Sequence, residues 1–259
     1  MSDTHGKFIW AELMTPDEDS AGRFYSHVVG WDIKDFGSPE MGYKIFEANS
    51  AGVGGMMELT DEHKSEGIPP NWTRYVAVDD VDATAKRFEE KGGKIMRPPS
   101  DIPEVGRFAV VTDPSGAVLC IMKPLPMDSS GFPEDTHTLT GHVGWNELFT
   151  DDVDNAMAFY GDVFGWTKDH DFDMGEMGPY RMFAHNGKTI GGIMKRPPQV
   201  PVCHWGYYFN VDGIDDAITR VSTGGGKVVN GPMPVPGDTW IVNCQDPQGA
   251  YFSLVSQRK

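Results

Sequence analysis

Two glutamates pose the chemical question in this chain. Glu12 lies in Trp10-Ala11-Glu12-Leu13-Met14-Thr15-Pro16-Asp17, and Glu147 in Trp145-Asn146-Glu147-Leu148-Phe149-Thr150-Asp151-Asp152. In an alternating strand Trp10 shares a face with Glu12, and Trp145 shares one with Glu147. A carboxylate beside an indole in a dry cup could serve as a general base on a carbonyl substrate. A structural role competes with that one. Both copies keep the glutamate, whereas one catalytic centre needs a single base, so the pair could instead bond backbone. The structural role is the simpler for each.

Other groups with chemistry are sparse. His204 admits two roles, as an acid or replacement metal ligand, or as a hydrogen-bonded strand histidine; the second asks for less. His142 is three residues from Trp145 and therefore falls on the opposite face. Cys120 has no adjacent base and reads as a buried thiol. No glycine-rich phosphate loop leads from a strand into a helix, and no Ser-His-Asp set can be assembled.

The elements that carry these residues come in duplicate. From Trp10 to Trp31 every matching residue recurs 135 positions later, from Trp145 to Trp166. Phe8 to Met14 alternates as a strand. Thr15-Pro16-Asp17 marks a helix start, with Thr15 as the capping hydroxyl and Pro16 in the first turn. Ala21, Phe24, Tyr25 and Val28 form one apolar stripe, repeated as Ala156, Phe159, Tyr160 and Val163, and Gly30 and Gly165 end the helices.

Strands beginning Tyr43-Lys44-Ile45-Phe46 and Tyr180-Arg181-Met182-Phe183 follow, then Gly54-Gly55-Met56-Met57 and Gly191-Gly192-Ile193-Met194. The loops before them, Glu40-Met41-Gly42 and Glu176-Met177-Gly178, carry glycine and thioethers that suit adaptation to a ligand, although an ordinary surface hairpin is the simpler reading. A second strand and helix follow in each copy. Trp72 and Trp205 point to the helix side of that strand as core. Asp113-Pro114-Ser115-Gly116 and Asp246-Pro247-Gln248-Gly249 are tight turns before each copy's last strand. Each half thus reads βαβββ twice, enough for a curved eight-stranded mixed sheet.

The chain has 259 residues, 39% of them hydrophobic, so each half can bury a core. A net charge of −16 argues against nucleic acid as a partner. Three cysteines, with no CxxC pair, argue against a disulfide framework. No secretory leader is visible and no apolar run approaches about 18 residues, so a cytoplasmic protein without a membrane partner is expected.

The Thr-x-Asp strand end, the Phe-Tyr helix closing in Gly-Trp, the Gly-Gly-x-Met strand and the Asp-Pro-x-Gly turn together resemble the vicinal oxygen chelate superfamily. That superfamily includes glyoxalase I, bleomycin resistance proteins and extradiol dioxygenases. The likeness covers nearly all of both halves. It implies an α+β fold of tandem glyoxalase-like modules, each built from paired βαβββ units whose curved mixed sheets form cups. The expected modules are residues 1–123 and 141–259, joined by a linker, 124–140.

The resemblance also implies three metal-ligand positions per module, filled in metal-dependent members by His, Gln or Glu. Here those positions hold Trp10, Thr73 and Cys120, and Trp145, Gly206 and Ser253. Such a set argues against the family's metal chemistry, so no cofactor is expected and a divalent metal is disfavoured. Alternation adds Tyr75, Tyr208, His204 and Asn210 to the proposed aromatic lining. The expected activity is binding of a small aromatic or carbonyl-containing molecule, by a monomer or homodimer. The alternative is a glyoxalase-like lyase or isomerase using Glu12 or Glu147, with or without a divalent metal.

Overall fold

The computed structural model describes residues 2–37, 42–125 and 137–259. The loop around Glu40 and Met41, and positions 126–136 of the expected linker, lie outside the described residues.

The first repeat runs β1 (Phe8–Thr15), α1 (Glu18–Val29), β2 (Asp32–Phe36), β3 (Tyr43–Ala48), β4 (Ala51–Glu58), a short α2 (Asp61–Ser65), β5 (Asn71–Ala77), α3 (Val81–Glu90), β6 (Lys94–Ile102), β7 (Gly106–Thr112) and β8 (Val118–Pro124). The second runs β9 (Val143–Thr150), α4 (Val153–Phe164), β10 (Thr167–Asp173), β11 (Pro179–His185), β12 (Lys188–Lys195), β13 (His204–Asn210), α5 (Ile214–Thr223), β14 (Lys227–Val235), β15 (Thr239–Gln245) and β16 (Tyr251–Ser256). Two eight-stranded mixed sheets result, ordered β2-β3-β4-β1-β5-β8-β7-β6 and β10-β11-β12-β9-β13-β16-β15-β14, neither of them closed. The pairs β1–β4, β12–β9, β5–β8 and β13–β16 are parallel.

Alternation in β1 holds as read: Ile9, Ala11 and Leu13 are buried, whereas Trp10, Glu12 and Met14 are partly open. The helix start differs. Asp17, not Thr15, caps α1, its Oδ1 accepting the Ser20 N–H at 2.9 Å. An aspartate at that position reaches the third helical N–H directly, and Thr15 is left to end β1, its Oγ1 accepting the Asp17 N–H at 3.4 Å. Asp152 caps α4 in the same way through Asn155, at 3.0 Å.

Tertiary packing divides the chain into two compact units, each drawn from both repeats. One comprises Met1–Ile9, Thr73–Pro133 and Asn146–Gly206; the other comprises Trp10–Trp72, Glu134–Trp145 and Tyr207–Lys259. In the second unit α1 packs on α5, and the Arg220 Nε donates to the Val28 carbonyl at 3.0 Å. Gly224 and Gly226 leave room there for the Phe24 ring. In the first unit α3 packs on α4, with Phe88 edge-on to Phe159 at 5.0 Å and Arg87 bridged to Asp162 at 3.0 Å.

The repeated Phe-Tyr and Asp-Pro-x-Gly signatures meet in these cores. In the second unit the Trp72 indole N–H donates to the Tyr25 hydroxyl at 2.8 Å, and that hydroxyl donates to Asp246 Oδ2 at 3.0 Å. Asp246 Oδ1 holds its own turn by accepting the N–H groups of Gln248 at 2.9 Å and Ala250 at 2.8 Å. In the first unit Trp205 donates to Tyr160 at 3.0 Å, and Tyr160 donates to Asp113 at 3.0 Å. The Gly-Trp signature has a paired role too: Trp31 donates to the Gly141 carbonyl and Trp166 to the Gly6 carbonyl, each at 2.7 Å.

Tyr25→Phe and Tyr160→Phe keep the ring but strand a buried indole N–H and a buried carboxylate. Each is expected to cost about 1–3 kcal/mol, measured by urea unfolding; a loss below about 0.5 kcal/mol, the range of neutral surface changes, would contradict the relay.

Candidate functional site

Glu12 shares its face of β1 with the partly open Trp10 and Met14, and Glu147 shares its face of β9 with Trp145 and Phe149. Glu12 on β1 lies opposite Gly55 on β4, and Tyr43 on β3 pairs diagonally beyond it. The strands run β3, β4, β1, so the backbones that carry the tyrosine and the glutamate lie roughly 10 Å apart across an intervening strand. Gly55 makes the crossing possible. A methyl group there would overlap the Tyr43 phenol. Over this gap the Tyr43 hydroxyl donates to Glu12 Oε2 at 2.9 Å, and the Trp10 Nε1–H donates to the same hydroxyl at 2.9 Å.

The second repeat builds the same device from β11, β12 and β9. Glu147 lies opposite Gly192. The Tyr180 ring occupies the space a side chain at Gly192 would fill, and its hydroxyl donates to Glu147 Oε1 at 2.7 Å. Next to Tyr180, Arg181 ties β11 to Asp171 on β10 at 2.9 Å, holding the Asp171 carboxyl down to about 2. Glu147 is buried; Glu12 is half-buried. Trp145 stands two residues before Glu147 on β9 and is likewise half-buried.

The other predicted residues fall in two groups. Tyr75 on β5 lies opposite Cys120 on β8, both buried, with Phe108 at 6.3 Å from the Tyr75 ring. Tyr208 on β13 lies opposite Ser253 on β16. Asn243 joins that pair, its Nδ2 donating to Ser253 Oγ at 2.8 Å and to the Tyr208 hydroxyl at 3.4 Å. The first repeat has Val110 at the place of Asn243, opposite Cys120. The corresponding positions are therefore apolar in one repeat and polar in the other.

His204 stacks on Phe149 at 4.8 Å and donates from Nδ1 to the Val202 carbonyl at 3.1 Å. Burial pushes its pKa below the ordinary 6.5. Gly206 lies beside the Phe149 ring. The Asn210 carboxamide is committed to backbone, donating to the carbonyls of His137 at 2.8 Å and Leu139 at 3.0 Å. Trp72 and Trp205 are core residues, and Cys120, Cys203 and Cys244 are free and buried. Burial pushes the Cys244 thiol up to about 12.

Sequence reasoning did not single out Tyr43, Tyr180, Gly55, Gly192 or Asn243 as site residues. The signal for the first four was present: a tyrosine opening one strand and a Gly-Gly pair in the next, in both repeats. Asn243 carried no such signal, because its counterpart is a valine.

Comparison with known proteins agrees with this architecture. The chain belongs to the Glyoxalase/Bleomycin resistance protein/Dioxygenase superfamily, whose model matches residues 7–121 and 140–254. "Putative glyoxylase CFP32" of Mycobacterium bovis is 34% identical over 249 residues, covering 95% of this chain and 93% of that protein. "Anthracycline biosynthesis protein DauV" of Streptomyces sp. is 31% identical over 263 residues, covering 96% and 93%. Among solved structures, the 2,3-dioxygenase LapB from Pseudomonas sp. KL28 superposes with a TM-score of 0.66 at 14% identity, covering 98% of this chain and 93% of that one. The Mn(II)-bound glyoxalase from Novosphingobium aromaticivorans gives 0.63 at 17% identity, covering 100% and 84%. At such identities the two structures speak for the fold alone.

The donors present do not fit the divalent ion that the fold family implies. Trp10 offers an N–H that is already given to Tyr43. Gly206 has no side chain, and Cys120 and Ser253 are single, buried sulfur and oxygen donors. Among the described residues no group of three or more His, Cys, Asp or Glu could hold a metal ion. Among them, too, no helix is long and apolar enough to cross a membrane.

The His204 environment can be checked directly. Its lowered pKa means the unfolded chain binds the proton more readily, so acidification from 6.5 downward draws on folding stability at this position. Histidine ring shifts followed by NMR are expected to show His204 titrating below 6.5; a midpoint at or above that value would contradict the half-buried, stacked placement.

Proposed function

We propose that this protein binds a small, planar aromatic or carbonyl-containing molecule against the aromatic sheet faces without a catalytic metal. One observation carries the reading: the positions that the family resemblance assigns to metal ligands hold indole, hydroxyl, thiol and glycine. The partly open Trp10 and Trp145 supply large apolar surface with a polar edge, a combination suited to ring compounds. The relative named for anthracycline biosynthesis supports the same class, anthracyclines being fused-ring aromatic compounds.

The test is a tryptophan-fluorescence titration against a panel of planar aromatic and carbonyl compounds, paired with elemental analysis of the purified protein. Saturable changes that persist after chelator treatment are expected, with metal far below one equivalent. No ligand-dependent change across the panel, or binding that disappears with the chelator, would overturn the reading.

A second reading is supported by the glutamates themselves, each accepting a hydrogen bond from a tyrosine, and by the relative named "Putative glyoxylase CFP32". Here Glu12 or Glu147 acts as general base in a lyase or isomerase step on a 2-oxoaldehyde–thiol adduct. Glu12→Gln and Glu147→Gln combined should then cost about 10²–10⁴-fold in turnover, and unchanged turnover in the double variant would exclude it.

A further inference from the structure

We propose that the cleft between α1, the end of α5 and the Asp246–Gly249 turn is a binding site for a small carboxylate. It lies wholly inside one compact unit and has a volume of about 310 Å³, at the small end of ligand sites. Ser20, Arg23, Phe24 and His27 line it from α1, at i, i+3, i+4 and i+7, one face of the helix. Gly224 and Gln248 line it from α5 and the turn. None of these residues lies on the strands that carry Glu12 and Glu147, so the site is additional to the sheet faces proposed above.

Comparing the repeats explains why the cleft is open and why a cation lines it. In the other unit the matching place is filled by ions. Asp162 of α4 pairs with Arg87 at 3.0 Å and with Lys91 at 3.3 Å. Here His27 stands in the place of Asp162, Gly224 in that of Lys91, and Arg23 in that of Ala158. The clasp is thereby lost. Arg220, the counterpart of Arg87, turns instead to the Val28 carbonyl at 3.0 Å and to Asp212 at 3.2 Å. The exchange removes a carboxylate, removes a long side chain and adds a guanidinium. The turn differs as well. Ser115 bends back on Asp113, its Oγ donating at 2.7 Å, whereas Gln248 in the same place leaves its Oε1 enclosed without a donor.

The groups left over define the ligand. A guanidinium has five N–H donors in a fork that matches two oxygens. Arg23 gives one of them to Ser20 Oγ at 2.9 Å and forms no ion pair among the described residues. His27 is held against α5, its Nε2 3.1 Å from Thr223 Oγ1. A single guanidinium charge matches a single negative charge. Asp17 and Asp19 lie within electrostatic reach of Arg23, and the chain carries −16 overall. A doubly charged phosphate is therefore opposed where a singly charged carboxylate is matched. Phe24 and Pro247 offer an apolar seat to the body of the molecule, and an N–H or O–H on it would satisfy Gln248 Oε1.

Benzoate, benzamide and phenyl phosphate, titrated into the isotope-labelled intact protein and followed by NMR, test the site. Benzoate is expected to shift the Arg23 Nε–H and the Gln248 side-chain amide signals saturably. Benzamide has the same shape and no charge, and should bind about ten-fold more weakly, in line with loss of a charge-assisted hydrogen bond. Phenyl phosphate should bind no more tightly than benzoate. Arg23→Ala and His27→Asp each install the other repeat's residue, and each should weaken benzoate about ten-fold. Both positions are exposed, so melting followed by circular dichroism should be unchanged; where one variant melts early, the other decides. No saturable shift with benzoate, shifts confined to residues outside the cleft, affinity unaltered in both variants, equal binding of benzamide, or tighter binding of phenyl phosphate overturns the inference. No tryptophan lines the cleft, so a silent fluorescence titration bears only on the sheet-face reading, and a silent cleft only on this one.

Discussion

A buried proton chain from tryptophan through tyrosine to aspartate holds each compact unit together. Trp72, Tyr25 and Asp246 form one, and Trp205, Tyr160 and Asp113 the other. Each link has a single permitted direction, since an indole only donates and a phenol has one proton. Burial raises the Asp246 carboxyl above its ordinary range, and the backbone N–H groups of its turn and the Tyr25 hydroxyl offset that cost without cancelling it. Burial, and then the facing Asp246, likewise hold the Tyr25 phenol far above its usual range, so it stays a donor. The aromatic rings packed around Tyr25, among them Trp31, Phe46, Trp72 and Phe252, leave no water to substitute for a lost partner.

Much of this fold was legible because period and punctuation agree. The alternation from Phe8 to Met14, the Ala21–Phe24–Tyr25–Val28 stripe, the left-handed Gly30 and Gly165, and the Asp-Pro-x-Gly turns all do in space what their residue types suggest. The capping residue was misplaced by two positions, because threonine before proline and aspartate after it are both good caps and only backbone geometry chooses between them. What could not be read was which half packs on which. Tyr25 and Tyr160 carry the same signature, as do Asp113 and Asp246, so a repeat gives each tyrosine two equally suitable aspartates. Tyr25 takes Asp246 from the other repeat, and Tyr160 takes Asp113.

The candidate site divides along similar lines. Glu12, Glu147 and the two opening tryptophans follow from strand alternation alone, which relates neighbours along one strand. Tyr43 and Tyr180 enter through contacts across an intervening strand, a relation that depends on the register of three strands together and not on the pattern within one. The glycines were visible as small residues but not as an opening, because their meaning comes from the ring above them. Asn243 shows the limit of arguing from duplication: where the repeats differ, as with Val110 and Asn243, comparing one copy with the other points away from the polar residue.

The exchange of halves bears on how the chain is made. Tyr25 and its aspartate are 221 positions apart. During synthesis at about 5–20 residues per second, α1 therefore leaves the ribosome with its apolar stripe exposed and stays without its final neighbour until nearly the whole polypeptide has emerged. Tyr25 can complete its buried relay only once Asp246 has been made, and closing so long a loop adds an entropic cost that grows with the logarithm of its length.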